Sequence, residues 1–498
     1  MKYKALLIGL LFIFLLSDVV TGQHRGDMLS FQGLDEKVQG GLEAMAMGGA
    51  YTAMSGSIDN LFTNAAGLVL LKKWTISING NYYKKTWWEN QVYYPNRYFV
   101  TLPFYLEGLY IPDPKNNGVL DRDLALDSAY VVTPKDQGKF VESKDAADWV
   151  KEKSAPVLNN IALAVPFKAF DRQFVVAAAY QQSVNFLDFD RNDTYLSPDI
   201  GTNIYDGWVP RVNGGDTLNV NWYRYLRERT GDLKSMRFAL ATQITRRLTL
   251  GLALDYTSGK GTDRLQLDKI GYFGLIDENK FFFSYDTSNY KEKGSSDFST
   301  LGTELGFQYR FDNLTIGANI TLPQTLTRKW SYTLSETTPR STNNQTLSGK
   351  DRFEIPALYS FGMSFRPVEA FTFSLDYQYF PYGQGTFKLA RNDTTFRKWK
   401  TQRTYMFGAQ YRMNTLVTVM AGYRWQPSIF VPDGVAYTDR GPEKISITLG
   451  AKFSLGTLGE ILAASEFQTL KYHDTYMSNT NYVTEKFQNL SVGYIYQF

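Results

Sequence analysis

The stretch that decides the fold is Leu301-Gly302-Thr303-Glu304-Leu305-Gly306-Phe307-Gln308-Tyr309-Arg310-Phe311. Its odd-numbered positions are apolar or aromatic except Thr303, and its even-numbered positions are Gly, Glu, Gln and Arg. A period of two places these sets on opposite faces of a β-strand, whereas a helix of period 3.6 would scatter them. Residues 248–256 and 370–379 alternate in the same way. The pattern therefore predicts an all-β protein.

The links between these runs show which kind of β protein to expect. Short and long links alternate along the chain, and the longest are 84–157 and 184–233. The short links are Lys168–Arg172, Thr245–Arg246, Phe311–Asn313, Arg366–Glu369, Met413–Asn414 and Gly456–Gly459. A membrane barrel has short periplasmic turns and long outer loops, whereas a soluble sandwich has no reason to sort its links. We therefore predict a transmembrane antiparallel β-barrel.

Counting the alternating runs gives about fourteen strands, an even number as in bacterial barrels. They begin near Trp74, Leu158, Gln173, Lys234, Arg247, Thr300, Leu314, Ala357, Ala370, Arg403, Thr415, Lys444, Glu460 and Thr484. A glycine recurs three positions before an aromatic residue close to the short links, at Gly306, Gly362, Gly408 and Gly450. The aromatic residues, Tyr309, Phe365, Tyr411 and Phe453, are expected to form a girdle at the membrane interface.

The N-terminus indicates the compartment. Lys2 and Lys4 precede an apolar run, Ala5–Leu16, and weakly polar residues follow as far as Gly22. A positive start, a short apolar core and a cleavage site are typical of a secretory signal peptide. The run is too short for a membrane anchor, and no stretch of about 18 apolar residues occurs elsewhere. We therefore predict a signal peptide over residues 1–22 and an outer-membrane location.

The last residues, Leu490–Phe498, also alternate, and they end on an aromatic residue. Such a strand can close a barrel against its first strand and so remove both sheet edges. It resembles the C-terminal signal by which outer-membrane proteins are recognised for assembly. We therefore expect Phe498 to contact the barrel assembly machinery.

The composition excludes several classes of function. The chain has 53 Lys and Arg, 49 Asp and Glu, two His and no Cys. The near balance of charge does not indicate a nucleic-acid partner. Without cysteine the chain has no thiolate metal site, and two histidines are too few for a metal centre. No serine nucleophile motif accompanies His473, so the sequence offers no catalytic pair. Gly259–Thr262, expected in an outer loop, lacks the full spacing of a phosphate loop. We expect no catalytic residue, no cofactor and no metal.

A segment between the signal peptide and the first strand does not alternate. It contains Met47-Gly48-Gly49-Ala50-Tyr51-Thr52-Ala53 and, further on, Asn64-Ala65-Ala66-Gly67-Leu68. These stretches resemble the N-terminal hatch of the outer-membrane transporter family for long-chain fatty acids and aromatic hydrocarbons, with Ala65 where that family usually has proline. Residues 356–377 are also similar to that family. The resemblance implies a hatch or plug over residues 23–72 and a barrel with long extracellular loops over residues 73–498.

The resemblance also implies a function, namely passive transport of hydrophobic small molecules such as long-chain fatty acids. We expect a monomer surrounded by outer-membrane lipid. Small residues can pack in a crowded lumen, so a hatch or gating role is assigned to Gly48, Gly49, Asn64, Ala65, Ala66 and Gly67. Residues that bind substrate are left unassigned. The alternative is a plugged barrel that binds or shuttles exported proteins in a type IX secretion system.

Two further expectations concern the loops and the lumen. Residues Ser143–Ser154 are predicted to form a short helix with Ser143 as its N-cap. The lumen is expected to contain an elongated apolar cavity lined mostly by Phe, Leu, Met and Tyr, because attraction to such walls follows buried area. One or two basic residues at an end of the cavity would bind a fatty acid carboxylate.

Overall fold

The computed structural model describes residues 31–34, 37–93, 142–199, 217–276, 280–391, 399–429, 442–476 and 479–498. The predicted signal peptide, residues 1–22, lies outside the described residues. Among the residues described, no helix is long and apolar enough to span a membrane.

Short helices precede the strands in the chain. They are α1 (Leu42–Ala46), α2 (Asn60–Thr63) and a 3-10 helix (Ala65–Leu70). The strands are β1 (Thr75–Tyr93), β2 (Trp149–Ala169), β3 (Arg172–Asp199), β4 (Thr217–Gln243), β5 (Leu248–Ile276), β6 (Lys280–Ser284), β7 (Ser288–Arg310), β8 (Leu314–Thr321), β9 (Gln324–Thr338), β10 (Ser341–Ile355), β11 (Leu358–Val368), β12 (Phe371–Phe380), β13 (Thr386–Lys388), β14 (Gln402–Arg412), β15 (Val417–Pro427), β16 (Glu443–Ser454), β17 (Glu460–Tyr476) and β18 (Asn479–Gln497). Short 3-10 helices also occur at Tyr382–Gln384 and Gly456–Leu458.

These strands form a closed antiparallel wall of fourteen strands. β8 continues into β9 and β10 into β11 as single wall strands, while β6 and β13 are short additions beside β5 and β10. The wall closes where β1 pairs with β18, with Thr75 opposite Gln497. The N–H of Phe498 donates to the carbonyl of Trp74 at 3.1 Å. Both the predicted strand number and the closure by the last strand are confirmed.

The alternation in the sequence corresponds to the two faces of the wall. Phe373 and Leu375 are exposed on the outer face, whereas Ser374 between them is buried on the lumen side. The girdle residues Phe365, Tyr411 and Phe453 are also exposed on the outside, near the short turns. A closed wall with an apolar outer belt is the architecture of an outer-membrane barrel, since closure of the ring leaves no open sheet edge in the lipid. The predicted location is therefore confirmed.

The short turns lie at the predicted positions. One two-residue turn joins β2 to β3 through Phe170 and Asp171, which have positive φ angles of 48° and 55°. Positive φ at both central residues is the geometry of a type I′ hairpin turn, whose twist matches that of the flanking strands. The predicted strand starts that follow short turns are close to the observed ones, as Leu314 and Glu460 show.

Several strand starts that follow long links are predicted too late. β2 begins at Trp149 and not near Leu158, and β4 begins at Thr217 and not near Lys234. Gly259–Thr262, expected in an outer loop, lies inside β5 and pairs with β4 and β7. The strands continue as paired hairpins beyond the apolar belt. Lipid no longer selects apolar residues there, so the alternation that marks a strand is lost.

The predicted helix over Ser143–Ser154 is wrong. Ser143 starts a turn, in which its hydroxyl accepts the N–H of Ala146 at 3.3 Å, and β2 begins at Trp149. Trp149 pairs with Glu89, so the second half of the expected helix continues the ladder with β1. Pairing with β1 outweighs the helical preference of these residues, because intrinsic helix propensity is only a weak determinant of structure.

Candidate functional site

The described residues 31–34 and 37–71, which precede β1, lie inside the barrel and are called the lumenal segment below. Helix α1 begins where Asp59 accepts the N–H groups of Glu43 and Ala44, at 2.6 and 3.2 Å. It ends at Gly48 and Gly49, whose φ angles of +68° and +91° are readily adopted by glycine. A β-carbon on Gly48 would lie 2.7 Å from the backbone nitrogen of Tyr423 in β15.

Asn64 connects the lumenal segment with a different part of the wall. Its Nδ2 lies 2.8 Å from the carbonyl oxygen of Thr52, 3.1 Å from that of Phe307 and 3.2 Å from that of Ala318. Its Oδ1 accepts the N–H of Ala66 at 3.2 Å and so caps the 3-10 helix. An amide can satisfy both kinds of backbone group where no ladder is present.

Five of the six predicted hatch residues therefore contact the wall, at two separate places. Gly48 and Gly49 lie against β14 and β15, whereas Asn64 contacts the paired strands β7 and β8 at Phe307 and Ala318. Ala65 and Ala66 pack against Gly251 of β5, and a β-carbon on Gly67 would lie 2.5 Å from Asn60 Nδ2. The structure does not bring the six residues together at one point. It links the two contacts through Tyr51 and Thr52.

Two wall residues that the sequence analysis did not assign to the hatch hold this link. The carboxylate of Asp376 accepts the N–H groups of Tyr51 and Thr52, at 2.9 and 2.7 Å. The amide of Gln308 donates to the carbonyl oxygens of Thr52 and Met54, at 2.9 and 2.8 Å. Both residues occupy lumen-facing positions of alternating strands. Their polarity was visible in the sequence, but their partner was not.

A belt of glycines in the wall makes room for the lumenal segment. A β-carbon on any member would lie between 2.1 and 2.9 Å from an atom of that segment, which is closer than real contacts allow. The belt consists of Gly251, Gly306, Gly317, Gly362, Gly408, Gly422, Gly450 and Gly493. Four of these are the glycines of the sequence repeat. The repeat therefore reflects close approach between the wall and the segment inside it.

Charged groups of the wall also bind the lumenal segment. Arg237 Nε donates to the carbonyl of Leu61 at 2.5 Å, and its guanidinium is paired with Asp255 and Glu304 of the wall. Burial, together with the nearby charge of Glu43, raises the pKa of Asp59 to about 7. A buried carboxyl that titrates near neutral pH therefore lies at the start of α1.

A cavity of about 370 Å³ lies between the lumenal segment and the strand ends remote from the short turns. Its apolar residues include Leu326, Leu358, Phe380 and Trp399, and its charged residues are Lys37, Asp255, Glu304, Arg424, Lys444 and Glu466. Side-chain amides of Gln and Asn are as prominent as apolar groups in its lining, for example Gln182, Gln378 and Gln468. The expectation of a mainly apolar cavity is therefore wrong in its polarity. Side chains on the lumen face of a strand do not contact lipid, so they need not be apolar. Their residue types depend instead on what they contact inside the barrel.

The wall beside this cavity lacks part of its backbone ladder. β2 and β3 pair only over Asn160–Ala169 and Arg172–Gln181, while farther out β2 stays with β1 and β3 with β4. The lumenal segment reaches the start of this gap, where the N–H of Val38 donates to the carbonyl of Ser183 at 3.0 Å. Side chains fill the gap beyond it, including the rings of Trp149 and Phe189, whose centroids are 5.4 Å apart.

No family model and no curated protein matches the chain. Solved structures do match it in fold. A FadL homologue of Pseudomonas aeruginosa is 15% identical with a TM-score of 0.57, and the match covers 95% of this chain and 100% of that one. The toluene transporter TodX of P. putida is 14% identical, with a TM-score of 0.53 and coverages of 92% and 98%. The monoaromatic hydrocarbon channel CymD is 13% identical, with a TM-score of 0.52 and coverages of 92% and 97%. The family resemblance seen in the sequence is confirmed as a shared fold.

Proposed function

We propose that the protein is a passive channel that carries hydrophobic small molecules across the outer membrane. The main support for this proposal is the cavity between the lumenal segment and the strand ends remote from the short turns. This cavity adjoins the gap between β2 and β3. Two wall strands with no ladder between them can separate without breaking backbone hydrogen bonds, so the gap offers a sideways opening of the cavity at the outer border of the apolar belt. The shared fold with channels for toluene and other monoaromatic hydrocarbons supports the same conclusion.

The substrate class predicted from the sequence, long-chain fatty acids or similar lipids, remains part of the proposal. The lumenal segment acts in it as the hatch, and its two wall contacts, at Gly48 and Gly49 and at Asn64 to Gly67, hold it closed. Phe498 closes the barrel and is the residue through which the assembly machinery would recognise the chain. The channel acts as a monomer in this proposal, since a single chain closes the wall.

The test compares uptake of labelled oleate and labelled toluene by cells with and without this protein. We expect slower uptake without it and recovery with the wild-type gene. Thr321→Trp places a bulky ring in the cavity that Thr321 lines, and is expected to block recovery. Ile320→Trp, one residue away on the other face of β8, is the matched control and should restore uptake.

Equal uptake in all four strains would contradict transport of these compounds. Co-purification of the protein with a secretion translocon or a large exported cargo would instead support the type IX alternative. The amount of folded barrel in each strain is compared by its heat-dependent mobility in detergent gels.

A further inference from the structure

Several residues that line the cavity carry buried hydrogen-bonding atoms without a partner among the described residues. We propose that it binds a neutral amphiphile, an apolar body with a hydroxyl or amide group, in preference to a plain hydrocarbon or a carboxylate. The inference rests on the proposed function and names the class of molecule that the same cavity would select.

Gln182 provides the clearest of these groups. Its Nε2 donates to the carboxylate of Asp232 at 3.3 Å, which fixes the orientation of the amide because a carboxylate only accepts. Its Oε1 is then left without a partner within the part of the chain that the structure describes, although the residue is only 4% exposed. Buried carbonyl oxygens in native proteins nearly always have a donor.

Two neighbouring residues repeat the pattern. Gln181 donates through Nε2 to the hydroxyl of Ser235 at 3.0 Å, and its Oε1 has no partner among the described residues. The same holds for Asn81 Oδ1 on β1, and both residues line the cavity. Three acceptors on β1 and β3 therefore lack a donor, and a ligand hydroxyl or N–H group can supply one.

Free donors are present as well. Arg424 is 8% exposed, and its Nε and Nη1 have no partner among the described residues, while its Nη2 binds Glu466 and the hydroxyl of Ser446. A hydroxyl or amide group can satisfy both free donors and free acceptors. A hydrocarbon satisfies neither, and a carboxylate satisfies only the donors.

The charges around the cavity do not favour an anion. Three lining residues are basic and three are acidic, so the formal charges of the lining balance, and Arg424 is paired with Glu466. A carboxylate would therefore meet as many negative as positive groups, and Arg424 already has a counter-charge.

An aromatic wall is available for the apolar body of the ligand. The rings of Phe380 and Tyr382 have centroids 5.8 Å apart, and those of Tyr382 and Trp399 are 5.3 Å apart. Ile429 and Leu358 extend this surface along the cavity. A six-carbon chain on a benzene ring is a suitable probe for such a wall.

The test uses three probes that share this body, namely hexylbenzene, 4-hexylphenol and 4-hexylbenzoate. Their binding to the full-length protein in nanodiscs is measured by isothermal titration at pH 8, with empty nanodiscs subtracted. We expect the phenol to bind about threefold to tenfold more tightly than the other two, the range that one neutral hydrogen bond provides. Gln182→Met should reduce the preference for the phenol over hexylbenzene and leave binding of hexylbenzene unchanged.

Gln468→Met is the matched control. Gln468 lines the same cavity but binds Ser446 through its Nε2 at 3.1 Å, and its Oε1 is not among the buried unpartnered atoms. This variant should keep the preference for the phenol. Gln181→Met provides a second test variant with the same expected loss as Gln182→Met, if the latter folds poorly.

The outcomes separate this inference from the proposed function. Equal binding of the phenol and hexylbenzene, or tightest binding of the benzoate, would overturn the preference while leaving a channel for hydrophobic molecules in place. Binding of none of the three probes would contradict the proposed function itself.

Discussion

The turn between β2 and β3 shows how one dihedral angle sets a preference for residue type. Phe170 and Asp171 adopt positive φ angles, and Phe170 is 92% exposed, so no packing compensates for the strain. Left-handed backbone conformation is unfavourable by about 1–2 kcal/mol for residues with a β-carbon. Replacing the pair by Asn-Gly, the usual type I′ sequence, should stabilise the barrel by about 1–2 kcal/mol in urea unfolding from liposomes.

The control for this change is the turn after β4. Thr245 and Arg246 have no positive φ angle, so the same Asn-Gly replacement there should give no gain. A similar gain at both turns would show that relief of backbone strain is not the cause.

At the residue scale, Asp59 makes docking of the lumenal segment depend on pH. Its pKa is about 7 when the lumenal segment is in place and about 4 when the carboxyl is in water. Between these values the docked segment holds a proton that the free segment lacks, so docking strengthens as pH falls from 7 to 4 and weakens as pH rises to 7. We expect amide hydrogen exchange of residues 42–63, corrected for intrinsic rates, to show more protection at pH 5 than at pH 8.

Asp59→Asn cannot titrate at this position and should show a smaller difference in protection between the two pH values. If this variant retains the difference, another group is responsible for it. Equal protection in the wild-type protein would contradict the raised pKa.

At the scale of elements, the lumenal segment and the glycine belt fit each other. A β-carbon on Gly422 would lie 2.1 Å from the backbone nitrogen of Gly48, and backbone cannot move aside as a flexible side chain can. Gly422→Ala should therefore loosen the segment without unfolding the wall, and single-channel conductance in planar bilayers should rise. Gly422→Val should raise it further.

Gly80→Ala is the control, because the nearest atom to its β-carbon would be the carbonyl oxygen of Val157 at an ordinary 3.6 Å. This variant should conduct as the wild type does. A Gly422 series with unchanged conductance would show that the segment does not block the pore.

The elements also show how far the sequence could be interpreted. Alternation and short turns predicted the wall because lipid and tight turns each restrict residue type at defined positions, as at Phe373 and Leu375. The extended strand ends, such as β4 from Thr217, lie outside that restriction and were missed. Asp376 and Gln182 could be recognised as polar lumen residues, but their partners lie far away in the chain, and only the fold brings them together.

At the scale of the whole molecule, the apolar belt determines where the barrel sits. Leu375 is 42% exposed on the outer face of β12, a few residues above the short-turn end. Leu375→Arg should destabilise the barrel by about 2–4 kcal/mol, since a charge near the bilayer midplane is unfavourable. Gln378→Arg, which points into the cavity from the same strand, should be tolerated far better.

Unfolding of both variants from liposomes measures the difference. Equal losses at the two positions would contradict the assignment of outer and inner faces. The same comparison in detergent should give a smaller gap, because a micelle adapts its shape around a charge more readily than a bilayer.

The closure of the wall has a consequence for the order of events during biogenesis. The lumenal segment precedes β1 in the chain, while β18, which seals the ring against β1, follows every other wall strand. The lumenal segment is therefore enclosed only when β18, the last wall strand, pairs with β1. Until then the seam is open, and the segment can enter from the side. Afterwards its eight glycine contacts are enclosed by the wall, so any movement of the segment must take place inside the sealed ring.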